Sequence, residues 1–171
     1  MATLQKTESS VFELVEQLRW VKALPLKQKT FAIYSIFLGM DWEVFLNSSA
    51  FKDDPEYKYI SIIRLPCLSL LLLEWERGCR VHRHLDAAGN QIPAYIFGLK
   101  GRSMHSVFCI ESQQGNDVYL SEHRNKILHP GELDYVLTTE AHYISPLESF
   151  TSIHLYFGSI VPNPNLNYKL L

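Results

Sequence analysis

From Tyr57 onward the chain breaks into short apolar or alternating runs, each closed by a turn signal, and this punctuation dictates the fold. The turns fall at Leu65-Pro66, Arg77-Gly78, Ala88-Gly89-Asn90, Lys100-Gly101, Gln114-Gly115-Asn116-Asp117 and His129-Pro130-Gly131-Glu132. Between them lie ten strand-like runs: 57–64, 68–76, 79–85, 92–99, 103–111, 117–121, 125–128, 133–138, 140–145 and 150–160. Runs of about six to nine residues have ordinary strand length and are short for helices. Ten of them following a helical start predict a mainly β protein, a jelly-roll barrel or sandwich with the helices on its outside.

The helical start covers 8–50. Ser9 or Ser10 is placed to cap a helix beginning at Val11, with Glu13 at the reciprocal capping position. Val11, Leu14, Val15, Leu18 and Val21 recur at helical spacing, leaving Glu13, Glu16 and Gln17 for water. Pro25 ends this segment. A second helix carries Phe31, Ile33, Tyr34, Ile36 and Phe37 and stops near Gly39, and Asp41 caps a short third one holding Trp42, Val44 and Phe45. The tail, Pro162-Asn163-Pro164-Asn165, is expected to be irregular. A chain of 171 residues suits one domain over 1–171, with the barrel over 57–160.

Composition narrows the function classes. A net charge of -2 argues against nucleic acid as the main partner, because phosphate binding shows as a basic excess. Cys67, Cys79 and Cys109 are odd in number and lack paired metal-ligand spacing, which suggests free thiols in a reducing, cytoplasmic setting. The opening residues MATLQKTESS lack the apolar core of a secretory signal. Leu68-Ser69-Leu70-Leu71-Leu72-Leu73 is too short to span a bilayer and reads as a strand buried on both faces, so no membrane partner is expected.

The chemistry concentrates in histidines. In a strand, residues two apart share a face, so His82 and His84 in Val81-His82-Arg83-His84 aim at one point. Ser152, His154 and Tyr156 form a second row with one face. His142 supplies a third imidazole from a distant strand. His105, His123 and His129 compete for that place, but His105 follows the Gly101 turn and His129 sits in a His-Pro-Gly turn, so His142 ranks first. Imidazole suits iron, zinc, copper or nickel, so residue type alone does not choose the metal. In the second row His154 is placed to hold the Tyr156 phenol and Ser152 to fix the imidazole tautomer. Ile153, Leu155 and Phe157 then face the helices.

In order and spacing these residues resemble the cysteine dioxygenase family of cupins, the thiol dioxygenases. That family has N-terminal helices, an apolar strand ending in tryptophan, a glycine turn and His-x-His, with a distant third histidine and Ser-x-His-x-Tyr near the C-terminus. Trp75, Gly78, His82, His84, His142, Ser152, His154 and Tyr156 follow that order here, and Tyr57-Lys58-Tyr59 is similar to the family's tyrosine-rich strand. The resemblance spans roughly 40–160. It implies a cupin barrel and iron(II) held by His82, His84 and His142. It further implies dioxygen as co-substrate and Tyr156, supported by His154 and Ser152, as the group that orients oxygen or substrate.

The departures are specific. The cupin glutamate, seven residues before a glycine, falls at Ala94 counting back from Gly101, as expected for a three-histidine member. Animal cysteine dioxygenases carry there a cysteine crosslinked to the tyrosine, a bond Ala94 cannot form. The family's carboxylate-binding arginine falls at Ser61, which cannot replace a guanidinium fork. Arg64 lies three residues on, and strict alternation aims it at the opposite face unless a bulge intervenes. Cysteine itself is therefore disfavoured as substrate. A loop at Asp86-Ala87-Ala88-Gly89-Asn90 lengthens the stretch near the pocket mouth.

The expected activity is oxidation of a small thiol or related chelating molecule by O2. Tyr59, Ser61, Arg64 and Ala94 line the substrate side, with Arg102 a second candidate for an anionic group. The protein is expected to be a monomer or small homo-oligomer. Alternatives are a metal-dependent cupin tailoring enzyme with other oxidative or rearrangement chemistry, and a non-catalytic cupin binding protein.

Overall fold

A computed structural model describes residues 2–46, 51–161 and 166–171, with side chains from Val11 onward. Three helices come first: α1 (Ala2–Val21), α2 (Leu26–Gly39) and α3 (Glu43–Leu46). The expected face of α1 is the one that is covered, with Leu14, Leu18 and Val21 buried and Glu13, Glu16 and Gln17 exposed. Its start differs from expectation. Helical backbone runs through Ser9 and Ser10 to Ala2, so neither serine is the cap. No proline or glycine lies between Ala2 and Val11 to stop propagation upstream. The Asp41 cap is present, its carboxylate accepting from the Glu43 N–H at 3.2 Å. Residues 47–50, part of the expected helical stretch, and the Pro162–Asn165 tail lie outside the described residues.

Twelve strands follow: β1 (Lys52–Asp53), β2 (Lys58–Leu65), β3 (Leu68–Trp75), β4 (Leu85–Asp86), β5 (Ala94–Lys100), β6 (Ser103–Gln114), β7 (Asp117–Leu128), β8 (Leu133–Val136), β9 (Glu140–Pro146), β10 (Phe150–Tyr156), β11 (Ile160–Val161) and β12 (Asn167–Leu170). A six-stranded sheet runs β1-β2-β3-β10-β5-β8 and a four-stranded sheet β12-β7-β6-β9, with β11-β4 as a ribbon. Sequence neighbours such as β9 and β10 lie in different sheets, so the chain crosses between layers as a jelly roll requires. The runs 117–121 and 125–128 merge into the single β7. The run 79–85 mostly does not pair: only β4 at its end joins a ladder, and His82 forms an isolated bridge. This segment leaves Trp75, passes along β9 and ends in the β11-β4 ribbon, so no one neighbour can pair its full length.

Alternation in the strands of the large sheet separates two cores. Leu70 and Leu72 of β3 and Ile153 and Leu155 of β10 pack outward against Leu14, Leu18, Ile33, Phe37 and Trp42, so the helices cover the outside of the large sheet. Leu73 and Trp75, Ala94 and Ile96, Phe150 and Tyr156 point inward, where they meet Val107 and Ile144 from the small sheet. At the β5–β6 turn only glycine fits. Gly101 has φ +68°, and a Cβ there would stand 1.9 Å from the Ser149 carbonyl oxygen. Among the described residues no helix is long and apolar enough to cross a membrane.

Candidate metal centre

His82 and His142 exchange both backbone hydrogen bonds, His82 N–H to the His142 carbonyl at 2.9 Å and the reverse at 2.8 Å. This short bridge, rather than a regular strand, presents His82 and His84 beside β9. One ring nitrogen from each of His82, His84 and His142 lies within 4.8 Å of the others. His84 Nε2 and His142 Nε2 are 3.3 Å apart. Metal–imidazole bonds of about 2.0–2.1 Å place two nitrogens about 3.0 Å apart at a right angle and about 3.4 Å at a tetrahedral angle. The observed spacing is therefore that of two ligands on one ion, and the donor set fits a metal.

Proton positions agree with that reading. Carbonyl oxygens only accept, so the 2.9 Å contact between His82 Nδ1 and the Arg80 carbonyl puts the proton on Nδ1 and the lone pair on Nε2. His84 Nδ1 is buried without a hydrogen-bond partner, and its Nε2 stands 3.3 Å from His142 Nε2. Burial pushes the pKa of His82 below 6.5, and holds His84 and His142 well below that value, with neighbouring imidazoles adding to the effect. All three rings are thus in the neutral form that ligation requires. Burial likewise pushes the nearby Cys79 thiol up to about 12, and it pushes Tyr57, aided by Asp54 and Glu56, to about 12.

The second row is also assembled as one face. Ser152 Oγ lies 3.0 Å from His154 Nε2, and His154 Nδ1 lies 3.2 Å from the Tyr156 phenol oxygen. Trp75 Nε1–H donates to Ser152 Oγ at 2.9 Å, a partner the sequence reading did not assign. The Ser152 hydroxyl accepts from Trp75, and its own proton has His154 Nε2 as acceptor. When that donation is made, His154 carries its proton on Nδ1 facing the Tyr156 oxygen, and the phenol proton is left for the site. The Tyr156 ring stands 4.7 Å from that of His84, centroid to centroid. Burial holds the phenol well above its ordinary pKa of 10, so it stays protonated.

The substrate-side candidates are distributed around this row. Directly opposed residues in antiparallel strands share a face. Ala94 is paired with Tyr156, Ser61 with Leu71 and through it His154, and Tyr59 with Leu73 and through it Ser152. Ser61 Oγ is buried without a partner. A register shift between Ser61 and Ile63 inserts one extra residue in β2, so Arg64 pairs with Ser69, itself opposite Tyr156. The bulge reverses the expectation from strict alternation: Arg64 stands on the Tyr156 side of the sheet, exposed at its edge. Arg102 instead forms a surface ion pair with Glu148 at 3.0 Å. His123 and His129 are exposed and outside the cluster.

His105 is the residue whose place the sequence reading undervalued. It is buried, 2.8 Å from His142 Nδ1 through its Nε2 and 2.7 Å from Asp134 through its Nδ1. Asp134 drew no notice in the sequence because a lone aspartate in a strand-like run carries no spacing signal.

No family model and no curated protein matches the chain. Solved structures do resemble it. KdgF from a Halomonas species shares 16% identity over 62% of this chain and 84% of its own, with a TM-score of 0.46. Hydroquinone 1,2-dioxygenase PnpCD, bound to Cd2+ and 4-hydroxybenzonitrile, shares 12% over 75% of this chain and 74% of its own, with a TM-score of 0.48. Oxalate decarboxylase from Lactobacillus farciminis shares 13% with a TM-score of 0.48; the match covers 70% of this chain but only 34% of the decarboxylase.

Proposed function

We propose that this chain is a non-haem iron(II)-dependent dioxygenase of the cupin type that oxidises a small thiol, or a related chelating molecule, with O2. One observation carries the reading: three imidazoles converge, one ring nitrogen of each within 4.8 Å of the others, beside the Tyr156 ring. Neutral ligands leave the charge of a bound cation uncancelled, which favours an anionic, chelating substrate. Iron, when bound, supplies the common point at which a thiolate and dioxygen exchange electrons.

The protein's own groups do the remaining work. His82, His84 and His142 hold the ion. Tyr156 donates its phenol proton toward substrate or oxygen, and His154, held by Ser152, keeps that phenol oriented. Tyr59 and Ser61 line the same sheet face, with the unpartnered Ser61 hydroxyl open to a polar substrate atom. Arg64 meets an anionic group at the edge of the sheet. Ala94, opposite Tyr156, leaves the phenol uncrosslinked and makes room beside its ring.

Oxygen uptake by iron-loaded protein across a panel of small thiols, with mass analysis of products, tests the proposal. The expected result is consumption of O2 with addition of two oxygen atoms to sulfur, lost in His82→Ala. Iron-loaded protein inert toward every thiol, or full activity in His82→Ala, would refute it.

A further inference from the structure

His105 and Asp134 lie outside the three-histidine set, yet both are buried, at 1% and 6% exposure. Burying a carboxylate beside two imidazoles is costly unless every member is hydrogen-bonded in a consistent direction. Here the direction of the first link can be read. Asp134 Oδ1 accepts from the Tyr135 N–H at 2.8 Å and from Arg124 Nη2 at 3.4 Å. Arg124 is held in turn by Glu140 at 3.0 Å. Those donors keep Asp134 an acceptor, so the 2.7 Å contact with Oδ2 is a donation from His105 Nδ1–H. The other ring nitrogen, Nε2, stands 2.8 Å from His142 Nδ1, so a single proton is shared between these two imidazoles.

We infer that Asp134 and His105 are positioning residues that set the tautomer of His142, holding its proton on Nδ1 so that its Nε2 lone pair faces the centre. This rests on the proposed metal site and adds how one of its ligands is kept competent. The opposite proton order would place N–H on His142 Nε2, 3.3 Å from His84 Nε2, and remove that donor. His82 has a simpler lock, the Arg80 carbonyl at 2.9 Å, with the Cys79 sulfur 3.7 Å from the same nitrogen. His84 Nδ1 has no partner. The relay therefore governs His142 in particular, with the anion two imidazoles away from the centre.

The test uses the full chain with cobalt(II) as probe and 15N-histidine NMR as a second readout. In metal-free wild type, two-bond 1H–15N correlations should show His142 protonated at Nδ1 and His105 at Nδ1. His105→Phe and Asp134→Asn should each weaken cobalt affinity about 10–100-fold in chelator competition. The double variant should be no weaker than His105→Phe alone, since both break one chain. His105→Gln, whose amide oxygen can accept from His142 Nδ1–H, should recover most of the loss. A His142 proton found on Nε2 in wild type overturns the inference, as does unchanged cobalt affinity in folded Asp134→Asn. If His105→Phe fails to fold, Asp134→Asn and the wild-type spectrum still decide. Wild type that binds no cobalt removes the metal site itself, whereas equal binding by wild type and variants removes only the relay.

Discussion

Ser152→Ala removes a single oxygen from the middle of a buried chain, and the structure sets its cost. Ser152 has no exposure and stands between the Trp75 indole N–H at 2.9 Å and His154 Nε2 at 3.0 Å. Without the hydroxyl the indole N–H keeps no acceptor and the imidazole nitrogen no donor. Each stranded buried group costs about 1–3 kcal/mol, so the variant should lose about 2–6 kcal/mol. At about 2–4 °C per kcal/mol for a chain of this size, Tm should fall by about 4–24 °C. Trp75→Phe carries its own packing cost, but in the Ser152→Ala background it also removes one stranded donor. The double variant should therefore be less destabilised than the sum of the singles by about 1–3 kcal/mol. Urea unfolding of the four metal-free proteins measures every corner of this cycle. A Ser152→Ala loss below about 0.5 kcal/mol, or strict additivity, would show that the Trp75-Ser152-His154 chain is not closed as described.

Two further outcomes follow from the same structure. Burial holds His84, His142 and His154 well below their ordinary value of 6.5, so the unfolded chain binds more protons than the folded one at mildly acidic pH. Stability of the metal-free protein should be complete above about pH 6.5 and decline as pH falls below it, by up to about 1.4 kcal/mol per pH unit for each histidine; a flat urea midpoint between pH 7 and pH 5 would contradict it. Gly101→Ala should cost about 3 kcal/mol or more, because its φ is +68° and the new Cβ would meet main-chain atoms of Ser149. Gly89→Ala, with φ +81° and nothing within 4 Å, should cost only about 1 kcal/mol, and equal losses in the two would refute the contact argument.

Local pattern foretold what is local in origin. Helical spacing gave the covered face of α1, and period-two alternation gave the inward row Ser152, His154 and Tyr156, because each depends on backbone geometry within one element. Turn residues likewise marked most strand ends. What depends on pairing between distant segments was less legible. His82 and His84 were expected on a regular strand, but their segment crosses between ladders and is pinned to His142 at one point. The β2 bulge that turns Arg64 to the Tyr156 side leaves no composition signal, since Ser61-Ile62-Ile63-Arg64 reads equally well without it. β12 lies past a proline-rich tail and pairs parallel with β7, an arrangement only the folded barrel creates. His105 was visible as a histidine, but its value comes from a carboxylate 29 residues away.

The position of that carboxylate bears on the charge of the centre. An acidic side chain beside the three histidines would cancel part of a divalent cation's charge directly, whereas the position paired with Tyr156 holds Ala94. Asp134 is instead joined to His142 through His105 and is itself partly neutralised by Arg124. A carboxylate at that remove can fix a proton and strengthen a neutral donor while leaving most of the ion's charge for the substrate. The Tyr156 phenol, kept protonated by burial, adds a hydrogen-bond donor rather than a second anion. On the proposed reading, the three ligands and the Tyr156 phenol are all neutral, and the first negative charge to join them directly is the substrate's own.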